Sequence, residues 1–179
     1  MSNGLFEINE SGVLKKYNGN EKTVYIPDGV SGIACGAFAD SPDVEKIVVP
    51  ASVKTVNYQA FRGCSSLKTI RFLGTEKIDI KTKAFDELPS PLEIIYSGTL
   101  EAWINSSKKY DEEQHEYNGG WGGGAPGVYT YVYTYYPMEH TLGEAFTYTV
   151  KTLADGKTFT GTGKREDIGS LLVSSPYDV

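Results

Sequence analysis

Residues 24–46, reading VYIPDGVSGIACGAFADSPDVEK, align without a gap on residues 47–69, reading IVVPASVKTVNYQAFRGCSSLKT, at a period of 23 residues. Val24 falls on Ile47, Ile26 on Val49, Pro27 on Pro50, Val30 on Val53 and Ile33 on Val56. The Ala37-Phe38 pair falls on Ala60-Phe61, and Val44 on Leu67. A third turn follows with small insertions: Ile70 and Phe72 open it, Ile80 and Ala84-Phe85 continue it, and Leu92 closes it. A fixed period of this length marks a stack in which each unit buries its apolar side only against its neighbours. The prediction is a β-rich repeat solenoid of about three turns.

The residue types at each position agree with that. Val or Ile at alternate positions before a proline makes a short strand with one face inward, and the proline, lacking an N–H, ends it. Strands of successive turns then stack in parallel. The Ala-Phe pair puts a small residue where backbones approach and a ring along the axis, so Phe38, Phe61 and Phe85 are expected to form an internal aromatic ladder. These rings read as core, not as a cofactor box.

Segments such as IPDGVSGIACGAF and VPASVKTVNYQAFRGCSSLKTIRF resemble the BspA-type (treponemal-type) leucine-rich repeats, whose unit runs Ile-Pro, Ser-Val, Ile, Ala-Phe, Gly-Cys, Leu. The resemblance covers residues 13–104. The stretch Ile95 to Trp103 looks like the unit that often follows such repeats. The resemblance implies a right-handed leucine-rich-repeat coil, a role in protein binding or adhesion at a bacterial cell surface or after secretion, and no catalytic residues. It also places Cys64 at a buried small position, with no bridge to Cys35 implied.

Around the repeats the reading divides the chain into four parts. Residues 1–22 form an N-terminal hairpin cap, turning at Asn9-Glu10-Ser11-Gly12, and 23–104 form the solenoid. Residues 105–127 form a charged and glycine-rich joint containing NGGWGGGAPG. Residues 128–179 form a small β-rich C-terminal domain. There Tyr129, Tyr131, Tyr133 and Tyr135 alternate with Val128, Thr130, Val132 and Thr134. A hairpin around Asp155-Gly156 is expected to set Thr152 opposite Phe159, with Phe146, Tyr148 and Val150 on the same face. Ile168, Leu171 and Leu172 have the spacing of one short helix.

The net charge of −6 divides as 11 basic against 13 acidic residues in 1–104, and 6 against 10 in 105–179. No concentrated Lys/Arg surface is present to displace counterions from phosphates, which argues against a nucleic-acid partner or an anionic membrane. No stretch is apolar enough to span a bilayer, and neither a signal peptide nor an anchor is visible. Two cysteines are too few for a disulfide framework. Both Cys35 and Cys64 read as free thiols, slow to react in the folded protein.

Other motifs fail on their chemistry. Gly156-Lys157-Thr158 ends like a phosphate-binding loop, but Lys151 stands where the earlier glycine is required. On a helix, His115 and Asp111 would share one side, yet no second histidine or cysteine is near in sequence to complete a zinc site. No metal and no cofactor is implied. A nucleophilic cysteine or serine would need His115 or His140, both outside the repeats. Asn9-Glu10-Ser11 and Asn105-Ser106-Ser107 match the glycosylation pattern, which recurs by chance.

What remains is binding. The expected surface is the outward strand positions Tyr25, Val48 and Arg71, stacked on successive turns, with a protein as ligand. The alternative is a carbohydrate bound, or less readily hydrolysed, by the sheet bearing Tyr129, Tyr131, Tyr133 and Tyr135. Hydrolysis needs two carboxylates across a cleft, and the sequence does not pair any of Glu139, Glu144, Glu166 and Asp167.

Overall fold

The computed structural model describes residues 4–81, 83–107, 109–117, 127–135 and 146–162, with backbone alone for 109–117 and 127–135. The chain begins with the hairpin: β1 (Phe6–Ile8) pairs antiparallel with β2 (Val13–Tyr17). Its turn is set by Asn9, whose Oδ1 accepts hydrogen bonds from the Ser11 and Val13 N–H groups. Gly12 takes a φ of 76°, which a side chain would oppose.

Each repeat then gives one strand to each of two sheets. The pairs are β3 (Thr23–Tyr25) with β4 (Gly32–Ile33), β5 (Lys46–Val49) with β6 (Thr55–Val56), and β7 (Thr69–Phe72) with β8 (Asp79–Ile80). After β9 (Leu92–Tyr96) come the helix α1 (Leu100–Ser107) and the strands β10 (Lys109–Tyr117), β11 (Gly127–Tyr135), β12 (Thr147–Thr152) and β13 (Thr158–Thr162). One sheet runs β1-β2-β4-β6-β8 and the other β13-β12-β9-β7-β5-β3. The parallel register of the larger sheet is Val24, Ile47, Ile70, Ile94, and that of the smaller is Leu14, Ile33, Val56, Ile80. The aligned repeat positions are therefore neighbours in space.

Inward side chains of both sheets share one hydrophobic cluster. Within it Phe38, Phe61 and Phe85 stack as expected, and the column continues through Tyr17 to Phe6, with centroids 5.3 to 5.8 Å apart. The hairpin thus covers the first repeat with rings of its own. Tyr17 keeps its hydroxyl satisfied by donating to the Glu21 carboxylate. Burial, and then that bond, push the phenol up to about 12.

At the other end Thr99 Oγ1 accepts from Ala102 N–H and starts α1. The helix buries Trp103 against Phe72 and Tyr96. Ser106, also buried, accepts the Ile78 N–H and donates to the Ala102 carbonyl, so no polar group is stranded there.

β12 lies parallel to β9, with Val150 beside Ile94. Residues 146–162 therefore extend the repeat sheet instead of forming a sheet of their own. The apolar face of Phe146, Tyr148, Val150 and Thr152 is buried as read, but Val150, not Thr152, faces Phe159. The turn is longer than a two-residue one because Asp155 fills it: its carboxylate accepts from Thr152 Oγ1 at 2.5 Å, and Thr152 N–H bonds the Lys157 carbonyl. A two-residue shift leaves every side chain on its original face.

β10 pairs antiparallel with β11, from Lys109 opposite Tyr135 to Tyr117 opposite Gly127. Residues 109–117, read as part of a joint, are thus strand. The helical pairing of Asp111 with His115 does not occur, since four residues along a strand separate them by about 13 Å. Residues 118–126 and the helix expected at Ile168 to Leu172 lie outside the described residues. Among the described residues, no helix is long and apolar enough to cross a membrane.

Candidate binding surface

The alternation that buries Val24, Ile47, Ile70, Ile94 and Val150 turns their strand neighbours outward. Cross-strand register arranges these into two rows. The first is Thr23, Lys46, Thr69, Glu93, Thr149, and the second is Tyr25, Val48, Arg71, Ile95, Lys151. The expected residues Tyr25, Val48 and Arg71 are therefore consecutive members of one row. Ile95 belongs to it too, and the same parity would have found it had β9 been counted as a further repeat strand.

Exposure varies along the row. Tyr25 is 67% exposed, Arg71 and Ile95 are half-buried, and Val48 retains only 7%. Val48 is thus not the exposed position expected. Its short side chain sits one strand spacing from the larger Tyr25 and Arg71 on either side. Arg71 holds a different kind of tension: its Nε is buried and meets no hydrogen-bond acceptor among the described residues.

Two glutamates of this region, Glu93 and Glu45, are engaged with lysines. Glu93 accepts Lys151 Nζ at 2.5 Å. Glu45 is held between Lys22 at 2.9 Å and Lys68 at 2.8 Å, and these bonds pull its carboxyl down to about 2. Beside the sheet lies an open hollow of about 540 Å³, lined by Ser65, Lys68, Thr69, Ser90, Pro91 and Glu93 among others. Three of its polar side chains are engaged: Lys68 with Glu45, Glu93 with Lys151, and Ser90 with Thr147 at 2.9 Å.

Tyr129, Tyr131, Tyr133 and Tyr135 all fall within β11, but their side chains lie outside the described residues. Glu139, Glu144, Glu166, Asp167 and His140 also lie outside them. Cys64 is fully buried, and desolvation raises its thiol to about 12, so it is no nucleophile. Cys35 is free but exposed, which corrects the expectation of a slow thiol there. Gly156, at φ 65°, serves the β12–β13 turn and not a phosphate loop. No group of three or more metal-ligating side chains stands together among the described residues.

Sequence reasoning missed Asp155 as a joining residue. It accepts Leu100 N–H at 3.1 Å at the start of α1, besides Thr152 and Lys157. Asp-Gly signals a turn, and nothing in the sequence shows that a helix 55 residues earlier meets it.

A stack of in-register strands with two outward rows defines a β-rich repeat scaffold. Residues 16–107 match the family model of the BspA type leucine rich repeat region, in six copies. That is just over half of the chain, which belongs to this family. Repeats of this family are in general non-enzymatic scaffolds for protein interaction. No curated protein and no solved structure is significantly similar to the chain.

Proposed function

We propose that this protein is a non-catalytic protein-binding or adhesion module. Its repeats, 23–104, coil as a right-handed solenoid under the hairpin cap of residues 1–22, and the outward face of the larger sheet receives the partner. The observation that carries this reading is the row itself. Tyr25, Val48, Arg71 and Ile95 bring an open aromatic ring, two aliphatic side chains and a guanidinium to consecutive strands. Aromatic residues and arginine are the types that anchor protein interfaces. Family membership supports the same reading, and the proposal includes display at a bacterial cell surface or secretion.

The test uses the immobilised full chain and a mixture of matrix and host-surface proteins. Retention by wild type and by Tyr58→Ala, which alters an exposed ring off the row, with loss in Tyr25→Ala/Ile95→Asp, is the expected result. Equal retention by all three proteins, with the melting temperature unchanged in both variants, would place binding elsewhere and overturn the proposal.

A further inference from the structure

Arg71 is the one described residue with a buried side-chain nitrogen that meets no acceptor. A guanidinium keeps its charge at any ordinary pH, so the half-buried Arg71, with its Nε unpaired among the described residues, favours an acceptor laid over it. Among the described residues Glu93 is bound to Lys151 and Glu45 to Lys22 and Lys68, and neither is paired with Arg71. The flanks of Arg71 are aliphatic in register, Val48 on one strand and Ile95 on the next, with the exposed Tyr25 ring beyond Val48.

We infer that the row from Tyr25 to Ile95 seats an extended protein segment carrying an aspartate or glutamate between apolar residues, with the carboxylate on Arg71. This rests on the reading of the face as a protein-binding surface and names the partner's chemistry. The dimensions fit. Three strand spacings of about 4.8 Å give a row about 14 Å long, the reach of roughly four extended residues. In a segment laid across the strands, side chains facing the sheet recur about every 6.7 Å. With a carboxylate over Arg71, its apolar neighbours two positions away fall between Ile95 and Lys151 on one side and between Val48 and Tyr25 on the other. A planar guanidinium meeting a carboxylate supplies paired, charge-assisted hydrogen bonds, which fix register as well as affinity.

The experiment probes an array of nonapeptides with the full chain. Each peptide has Asp or Glu at its centre and apolar residues two positions to either side, and each has Asn, Gln and Lys counterparts. Acidic members should be retained about tenfold or more over their neutral counterparts. That preference should persist in Tyr58→Ala and vanish in Arg71→Gln. If Arg71→Gln fails to fold, Arg71→Lys keeps the charge but loses the planar fork, and should reduce the preference. Equal retention of acidic and neutral peptides, retention of none, or an acidic preference that survives loss of Arg71 overturns the inference. Capture of matrix or host proteins that depends on Tyr25 and Ile95 but not on Arg71 removes the carboxylate alone. Capture indifferent to all three removes the binding face as well.

Discussion

Phe61 stacks on Phe85 with ring planes 17° apart and centroids 5.8 Å apart, although 24 residues of chain separate them. On its other side Phe61 meets Phe38 at 5.7 Å, so it occupies the middle of the column. Its side chain is fully buried. Phe61→Ala should therefore leave a cavity open to no collapsing neighbour and cost about 3 to 5 kcal/mol. Phe6 ends the column at 9% exposure and touches only Tyr17 among these rings, so Phe6→Ala should cost less. Denaturant titration of the two variants measures both, and equal losses would count against a column whose centre carries the load.

Gly63 and Gly29 share a φ of 89°, but only Gly63 is crowded. A Cβ at Gly63 would lie 2.9 Å from the Asp40 backbone nitrogen, whereas one at Gly29 would meet nothing within 4 Å. Either alanine carries the strain of a left-handed conformation, about 1 to 3 kcal/mol. Gly63→Ala adds a backbone clash between successive repeats. Thermal melts should rank Gly63→Ala below Gly29→Ala, and the reverse order would show that the turn relaxes freely.

How much of this was legible in the sequence follows from the range of each interaction. The 23-residue match set Val24 beside Ile47 and Ile70 because a repeat aligns what it stacks. Tyr17 and Phe6 were not read as part of the ring column, since the hairpin carries no Ala-Phe pair to mark them. The parity that turns Val48 outward was correct, but the shielding that leaves it 7% exposed depends on neighbours from other turns. β12 settles beside β9 after an excursion from Tyr96 to Thr147, and its alternating apolar face would suit any sheet. Nothing local marks the choice. The unpaired Nε of Arg71 among the described residues is likewise a property of the packed surface that no local pattern marks.

The two thiols should separate cleanly. Cys35 is exposed, while Cys64 is fully buried with its Sγ 3.8 Å from the Phe38 carbonyl that accepts from it. With its thiol raised to about 12 by burial, Cys64 offers little thiolate at pH 8. A thiol reagent at that pH should modify Cys35 alone in the native protein and both cysteines in denaturant, as mass spectrometry of the labelled chain would record. Native labelling of Cys64 at a rate near that of Cys35 would contradict its place in the core.

The acid limb of stability should carry the signature of Asp155. Its carboxylate accepts from Thr152 Oγ1, Leu100 N–H and Lys157 N–H, and these bonds, with the Thr152 bond foremost, lower it from 3.8 to about 2. A carboxylate whose folded pKa lies below its unfolded one binds fewer protons when folded, so acid favours the unfolded chain. The contribution is complete above pH 3.8 and disappears as pH falls toward 2. Glu45, lowered from 4.5 to about 2 by Lys68 and Lys22, adds a similar limb of its own. Asp155→Asn removes one of the two. The variant should be less stable than wild type at pH 6, because the charge-assisted acceptor that joins α1 to the β12–β13 turn is gone. The gap should narrow steadily below pH 3.8 as wild type loses the same carboxylate to protonation. Melting curves of both proteins at pH 6, 4, 3 and 2.5 decide the matter: a constant gap across that range would mean that Asp155 holds the turn without a depressed pKa.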